Sequence, residues 1–412
     1  MKTGSVHLTR TLSALKALNF FMADMQAGIG PFLGIFLLSK DWERGPIGTV
    51  MTIGGVAGML MTAPAGAAID ATTHKRRYVI IPGICTILAS ALILLSQDFW
   101  LVTLSQVATA IAGAAIGPAV VGITLGIVKQ KGFNRQNGYN QAFNHAGNVV
   151  GAALSGYLGL KFGITAIFLL SALFGLLSIV SILMIPAESI DDKAARGLSE
   201  EGNDEKVNGL KVLLNCKPLM ILAAALAFFH LGNGGLLPLY GMAAAEKMEG
   251  NASMFVALTV IIAQIVMIAA SVAGMKVAEA KGYWIVMLVS FIALPFRGYI
   301  AAHMIGPVGI YPVQILDGIG AGLQSVAVPG LVAHILNGTG RINVGQGAVM
   351  TVQGLGASLS PAVGGWIAQK MGYGSSFMIL GSFAMVSLLL WILYSKTLKD
   401  ACGHQPANRS EE

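Results

Sequence analysis

Residues Gly147 to Gly156 read GNVVGAALSG, and Gly356 to Gly365, 209 positions on, read GASLSPAVGG. The register holds past the motif. Lys161-Phe162-Gly163 answers to Lys370-Met371-Gly372, and Phe168 to Phe377. A second echo has an offset of 208: Gln106 begins QVATAIAGAA and Gln314 begins QILDGIGAGL. A third pairs Phe20-Phe21 and Pro31 with Phe228-Phe229 and Pro238. Small residues let membrane helices pack closely, so one such match is what glycine-rich helices give by coincidence. Three matches at nearly one offset mean that the chain carries the same unit twice.

The composition says where that unit sits. Of 412 residues, 55% are hydrophobic and only 11% charged, against about 25% charged in soluble domains. In water such a chain would expose large sticky patches; in a bilayer the lipid tails solvate them. A crossing needs about 20 apolar residues. Twelve runs meet that: 14–38, 46–69, 78–97, 99–127, 137–160 and 163–186, then 218–241, 252–277, 283–303, 309–336, 343–369 and 375–396. The run from Ala14 to Leu38 is too long for a signal-peptide core and reads as the first span. The expected fold is an all-α membrane protein, twelve transmembrane helices in two pseudo-symmetric six-helix halves. Residues 1–186 form the first half, 187–217 a charged cytoplasmic linker, 218–396 the second half and 397–412 a cytoplasmic tail.

With both termini in the cytoplasm, the cytoplasmic segments and adjoining span ends hold 20 of the 26 Lys and Arg residues. The outer loops hold five (Lys40, Arg44, Lys161, Lys247 and Lys370), and Arg297 lies within a span. That bias sets the orientation and accounts for the +7 net charge without nucleic acid. Twelve spans leave no room for a soluble catalytic domain. There is no Ser-His, His-Glu-x-x-His or paired-carboxylate arrangement, and no phosphate-binding loop. Cys85, Cys216 and Cys402 have no metal-ligand spacing. The sequence therefore points away from an enzyme, and no cofactor or metal is expected. A membrane-embedded enzyme or a non-transporting sensor is the different-class alternative.

Between spans two and three stands Gly66-Ala-Ala-Ile-Asp70-Ala-Thr-Thr-His74-Lys75-Arg76-Arg77, with a weaker copy from Gly274 to Gly282. Here the chain resembles the major facilitator superfamily over nearly its whole length. The resemblance implies a working monomer that moves a small solute across the inner membrane by alternating access between two parallel halves. It implies a conformational latch at Gly66, Asp70, Arg76 and Arg77; the alternative is a plain positive-inside anchor. The family's later Gly is Thr73 here, and the Arg usual twelve residues before Pro118 is Gln106. The glycine-rich stretches of spans five and eleven (Gly147, Gly151, Gly156; Gly356, Pro361, Gly364, Gly365) resemble those of proton-linked exporters, favouring proton antiport and efflux over import.

A charge in mid-membrane costs about 2.5–3.5 kcal/mol, so the few ionisable groups within spans are functional candidates. Asp24, beside Gln26 and before Gly28, Gly30 and Pro31, is a proton-coupling candidate where the first helix is expected to break. His145 is the second. Arg297 of span nine either snorkels outward or pairs with Asp317 of span ten. Asn137, Gln141, Asn144 and Asn148 follow one face of span five and read as a solute-cavity wall or as interhelical bonding. His230 and Asn233 of span seven, and Gln346 and Gln353 of span eleven, occupy comparable places.

Overall fold

The computed structural model describes residues 2–27, 29–195, 214–247, 252–336 and 342–401. The side chains of Asp24, Gln26 and Asp70 lie outside the described residues, as do Gly28, most of the expected linker and Cys402. Every regular element described is a helix.

Nine helices among the described residues are long and apolar enough to cross a membrane. The nine and the expected twelve differ at three places. The first run is described as Lys2–Ala27 and Ile29–Leu38, and the expected break at Gly28 lies outside the described residues. The fifth, within helix Phe99–Phe162, carries the amide stripe and is correspondingly polar; it is separated from the fourth by Lys129, whose φ of 55° and ψ of 179° are not helical. Val344–Leu393 counts as one helix of 50 residues. At about 1.5 Å per residue that is some 75 Å, far more than a ~30 Å hydrocarbon core. Gly372, at φ 84°, divides it.

Gly372 has its repeat mate in Gly163, at φ 81°. Both turns use the left-handed backbone that an L side chain rarely adopts. The duplication continues in the packing. A Cβ on Gly147 would strike the Phe20 carbonyl of span one, and a Cβ on Gly356 would strike the Ala227 carbonyl of span seven. Spans two and four meet through Gly54 and Gly58 against Gln106 and Ala110. Spans eight and ten repeat the seam with the glycines on the other helix, Gly318 and Gly322 against Ala263 and Met267. Lipid tails are as apolar as leucine, so such close approaches hold membrane helices together in place of a hydrophobic drive.

The chain divides into two compact units. The first joins 1–204 with 237–261 and 361–369; the second joins 205–236, 262–360 and 370–412. In the first, Leu15, Leu18, Ile116, Ile123 and Ile182 form a fully buried core. In the second, Phe291 packs against Phe229 and Trp391, and Trp391 Nε1 donates to the Trp284 carbonyl at 3.0 Å. Leu60, Leu169 and Leu389 are 56–66% exposed, the surface expected of helices solvated by lipid.

The basic run after span two is put to three uses. Lys75 is 1% exposed, and its Nζ donates to the Ile69 and Thr72 carbonyls, capping the end of helix Arg44–Ala71. Arg76 Nη2 donates to the Leu183 carbonyl of span six at 3.2 Å. Arg77 is exposed. Where the second copy turns on Gly282 at φ 79°, the first has Thr73, and the backbone N–H of His74 donates to Thr72 Oγ1 at 3.1 Å. The start of the linker docks on span four: Lys129 pairs with Asp191 at 3.3 Å, and Gly126 accepts from the Asp191 N–H at 3.1 Å.

Candidate functional site

The second unit holds a polar cluster inside membrane-spanning helices. Span nine brings Arg297 to 1% exposure, so it does not snorkel. Its Nη1 lies 2.7 Å from Asp317 Oδ1 and donates to Asn233 Oδ1 at 2.5 Å. Asn233 Nδ2 in turn donates to Asp317 Oδ1 at 3.4 Å. Three helices thus close a ring of one cation, one anion and one amide. The amide suits the centre because it both donates and accepts.

A second chain runs alongside. His230 Nε2 donates to Gln324 Oε1 at 3.1 Å, Gln324 Nε2 to Ser290 Oγ at 2.9 Å, and Ser290 Oγ to the Gly320 carbonyl at 3.1 Å. Asn233 and His230 sit three residues apart on span seven, and Asp317 and Gln324 seven apart on span ten, so each pair shares a helix face. Span seven therefore contributes one residue to each chain, and so does span ten.

In the first unit the amide stripe is partly occupied in packing. Asn144 Nδ2 donates to the Asn19 carbonyl of span one, and Asn148 Nδ2 to Asn144 Oδ1, both at 3.4 Å. Asn137 and His145 are half-buried, and Gln141 is exposed. The flanking Asn140 is 3% exposed; it accepts from Gln136 Nε2 at 2.9 Å and donates to Thr124 Oγ1 of span four at 3.0 Å. Replacing Asn140 with Leu removes one partner from each neighbour: the buried Gln136 amide loses its acceptor, while the Thr124 hydroxyl keeps its bond to the Val120 carbonyl. The expected cost is about 1–3 kcal/mol, read as a lower thermal midpoint of the purified protein, with Thr124→Val costing less. Gln346 and Gln353 are half-buried on helix Ile342–Leu393. Gly66 has open space where a Cβ would stand.

Sequence reasoning did not find Ser290, Gln324, Thr124 or Arg44. Arg44 grips Glu246 with two nitrogens, Nε–Oε1 at 3.0 Å and Nη2–Oε2 at 2.5 Å, and donates from Nη1 to the Ala368 carbonyl. Around it the Gly45 N–H donates to Gln369 Oε1 at 2.8 Å and Trp366 Nε1 to Thr49 Oγ1 at 3.0 Å. The Ala362 N–H donates to Thr52 Oγ1, also at 3.0 Å. A Cβ on Gly48 would strike the Pro361 carbonyl. All of these lie inside the first unit, where span two meets 361–369 and the end of span seven. The only advance signal was an Arg opening an apolar run.

Among the described residues, the buried charges at and within these apolar helices, Lys75 and Arg297, are hydrogen-bonded, as a polytopic membrane protein requires. A family model described as Major Facilitator Superfamily matches residues 15–343, and the chain belongs to that family. An MFS-type transporter of Mycobacterium tuberculosis strain H37Rv is 37% identical over 390 residues, 93% of each chain. Among solved structures, the nucleoside transporter NupG superposes with a TM-score of 0.76 at 13% identity, covering 94% of this chain and 99% of its own. A bacterial homologue of the human lysosomal transporter Spinster, inward-facing and unoccupied, gives 0.74 at 14% identity, covering 97% and 99%. At those identities the likeness is one of fold.

Proposed function

We propose that the protein is a twelve-helix, proton-coupled exporter of a small polar or amphipathic solute, working as a monomer in the inner membrane with both termini in the cytoplasm. Direction rests on the glycine-rich stretches, and orientation on the Lys and Arg bias. Coupling rests on one observation, the buried ring of Arg297, Asp317 and Asn233. A proton on Asp317 removes the charge that holds Arg297, so protonation and rearrangement of spans seven, nine and ten are one event. Coupling requires a ligand or proton to differ in affinity between two states, and an ion pair that exists in one of them supplies that difference. Asp24 and His145 are the further proton carriers. The face of Asn137, Gln141, Asn144 and Asn148, with Gln26, His230, Asn233, Gln346 and Gln353, offers donors and acceptors to a polar solute. The name of the nucleoside transporter among the structural relatives puts nucleosides on the list to test.

The experiment is pH-gradient dissipation in proteoliposomes with a panel of polar metabolites, nucleosides and cationic drugs. Wild type is compared with Asp317→Asn, Asp24→Asn and His145→Gln. Solute-dependent proton flux is expected in wild type and at least tenfold less in Asp317→Asn, the scale of one charged hydrogen-bonded partner. Solute movement with no proton flux in any of the four would make the protein a facilitator and end the coupling assignment. Proton flux driven only by solute entering with the proton would make it an importer.

A further inference from the structure

A cavity of about 890 Å³ in the first unit shares no residue with the Arg297 ring or the span-five amide face; of the expected latch residues, Arg77 lines it. It lies among spans two, three and four, beside the basic run. Its trough is apolar, lined by Met61 and Ala65 of span two, Ile81 and Cys85 of span three, and Ala112 of span four. Its rim is polar and cationic: Thr72, His74 and Arg77. Ile81 and Cys85 are exposed, so the trough opens through the side of the helix bundle. On membrane-spanning helices that side faces lipid.

Three facts specify an occupant. Met61 lies ten residues before Ala71, the last of its helix and the neighbour of the Thr72 cap; that is about 15 Å, which matches the ~15 Å depth of one leaflet's hydrocarbon. The trough is too apolar for a polar solute and the rim too cationic for a bare hydrocarbon. Charge at the rim is one-sided: between Met61 and Cys85 stand Lys75, Arg76 and Arg77 against the single acid Asp70. With Lys75 bonded to the end of span two and Arg76 to span six, Arg77 is the member of the run that lines the rim.

We propose that this groove binds an anionic phospholipid, its headgroup phosphate on Arg77 and His74 and one acyl chain along the trough between Ala65 and Cys85. Basic pockets between membrane helices recognise anionic headgroups by the same chemistry. Guanidinium binds phosphate bidentately. A lipid held there would brace spans two, three and four at the end where the Gly66–Arg77 loop turns.

Cys85 supplies the readout, because a seated chain covers its thiol. In full-length protein carrying Cys216→Ser and Cys402→Ser, the maleimide reaction rate at Cys85 is measured in detergent. Phosphatidylglycerol, phosphatidylcholine or inorganic phosphate is then added. Phosphatidylglycerol is expected to slow the reaction about fivefold more than phosphatidylcholine, the worth of one basic side chain at a headgroup, and phosphate not at all. Arg77→Gln should remove that difference, Arg77→Lys keep most of it, and Arg135→Gln, at an exposed cation outside the groove, leave it intact. Equal protection by both lipids would reduce the groove to an apolar gap without headgroup recognition. Protection by phosphate alone, or by no lipid, would overturn the proposal, as would full protection in Arg77→Gln. None of these readings depends on solute or proton movement.

Discussion

Asp317→Leu is expected to destabilise the protein by about 3–5 kcal/mol, and Arg297→Met by less, although both break the same 2.7 Å pair. The asymmetry comes from what each leaves behind. Asp317 left alone can take up a proton and become neutral. Arg297 cannot shed its charge, and at 1% exposure it cannot reach water. Asn233 remains beside it, but an amide oxygen offers a dipole and not a charge. The double variant Arg297→Met/Asp317→Leu should recover most of the lost stability, because apolar side chains of similar volume replace a buried pair at little cost. It should not recover proton-linked transport. Thermal unfolding in detergent and solute-dependent proton flux in liposomes check the two halves of the statement. A double variant as unstable as Asp317→Leu would mean that the pair is one strand of a larger network. A double variant with wild-type flux would remove the ring from the coupling mechanism.

The two members of that pair are legible in the sequence, which leaves open whether Arg297 pairs or snorkels; the structure pairs it. Arg297 and Asp317 stand in neighbouring apolar spans, and a lone charge there is costly, so the two have reason to meet. The duplication was legible for a similar reason. Gly147 and Gly356 sit where only a hydrogen fits, and Gly163 and Gly372 where only glycine is unstrained, so the chemistry that fixes the fold also fixes the letters. Ser290, Gln324 and Thr124 left no such mark. A serine, amide or threonine in a membrane helix satisfies itself on its own backbone as readily as on a neighbour, as Thr103 does on the Phe99 carbonyl. The division of labour among Lys75, Arg76 and Arg77 depended on the turn at Thr72–His74, and composition reads all three as one anchor. On span five the pattern reads as a cavity wall or as interhelical bonding, and Asn144 is directed to a carbonyl of span one.

Gly48→Ala and Gly147→Ala make the same substitution against the same kind of obstacle, a backbone carbonyl, and should have opposite consequences. Gly147 meets Phe20, a contact between spans five and one of the same sequence repeat. Alternating access by rigid halves keeps such a contact in every state, so the added methyl has nowhere to go. The expected result is a loss of about 1–3 kcal/mol of stability, seen as a lower thermal midpoint. Gly48 meets Pro361, a contact between a span of the first repeat and a span of the second, beside the Arg44–Glu246 pair. If transport opens that seam, a second state exists in which the methyl costs nothing. The same energy then moves population rather than stability, by about 5- to 150-fold for 1–3 kcal/mol. A cysteine at Thr52, whose hydroxyl accepts the Ala362 N–H in the closed seam, reports the opening by its rate of alkylation. Faster labelling in Gly48→Ala at an unchanged midpoint, with slow labelling and a lowered midpoint in Gly147→Ala, is the pattern that alternating access requires. A lowered midpoint and slow labelling in both would make the seam a permanent weld, and a transporter cycle could not pass through it.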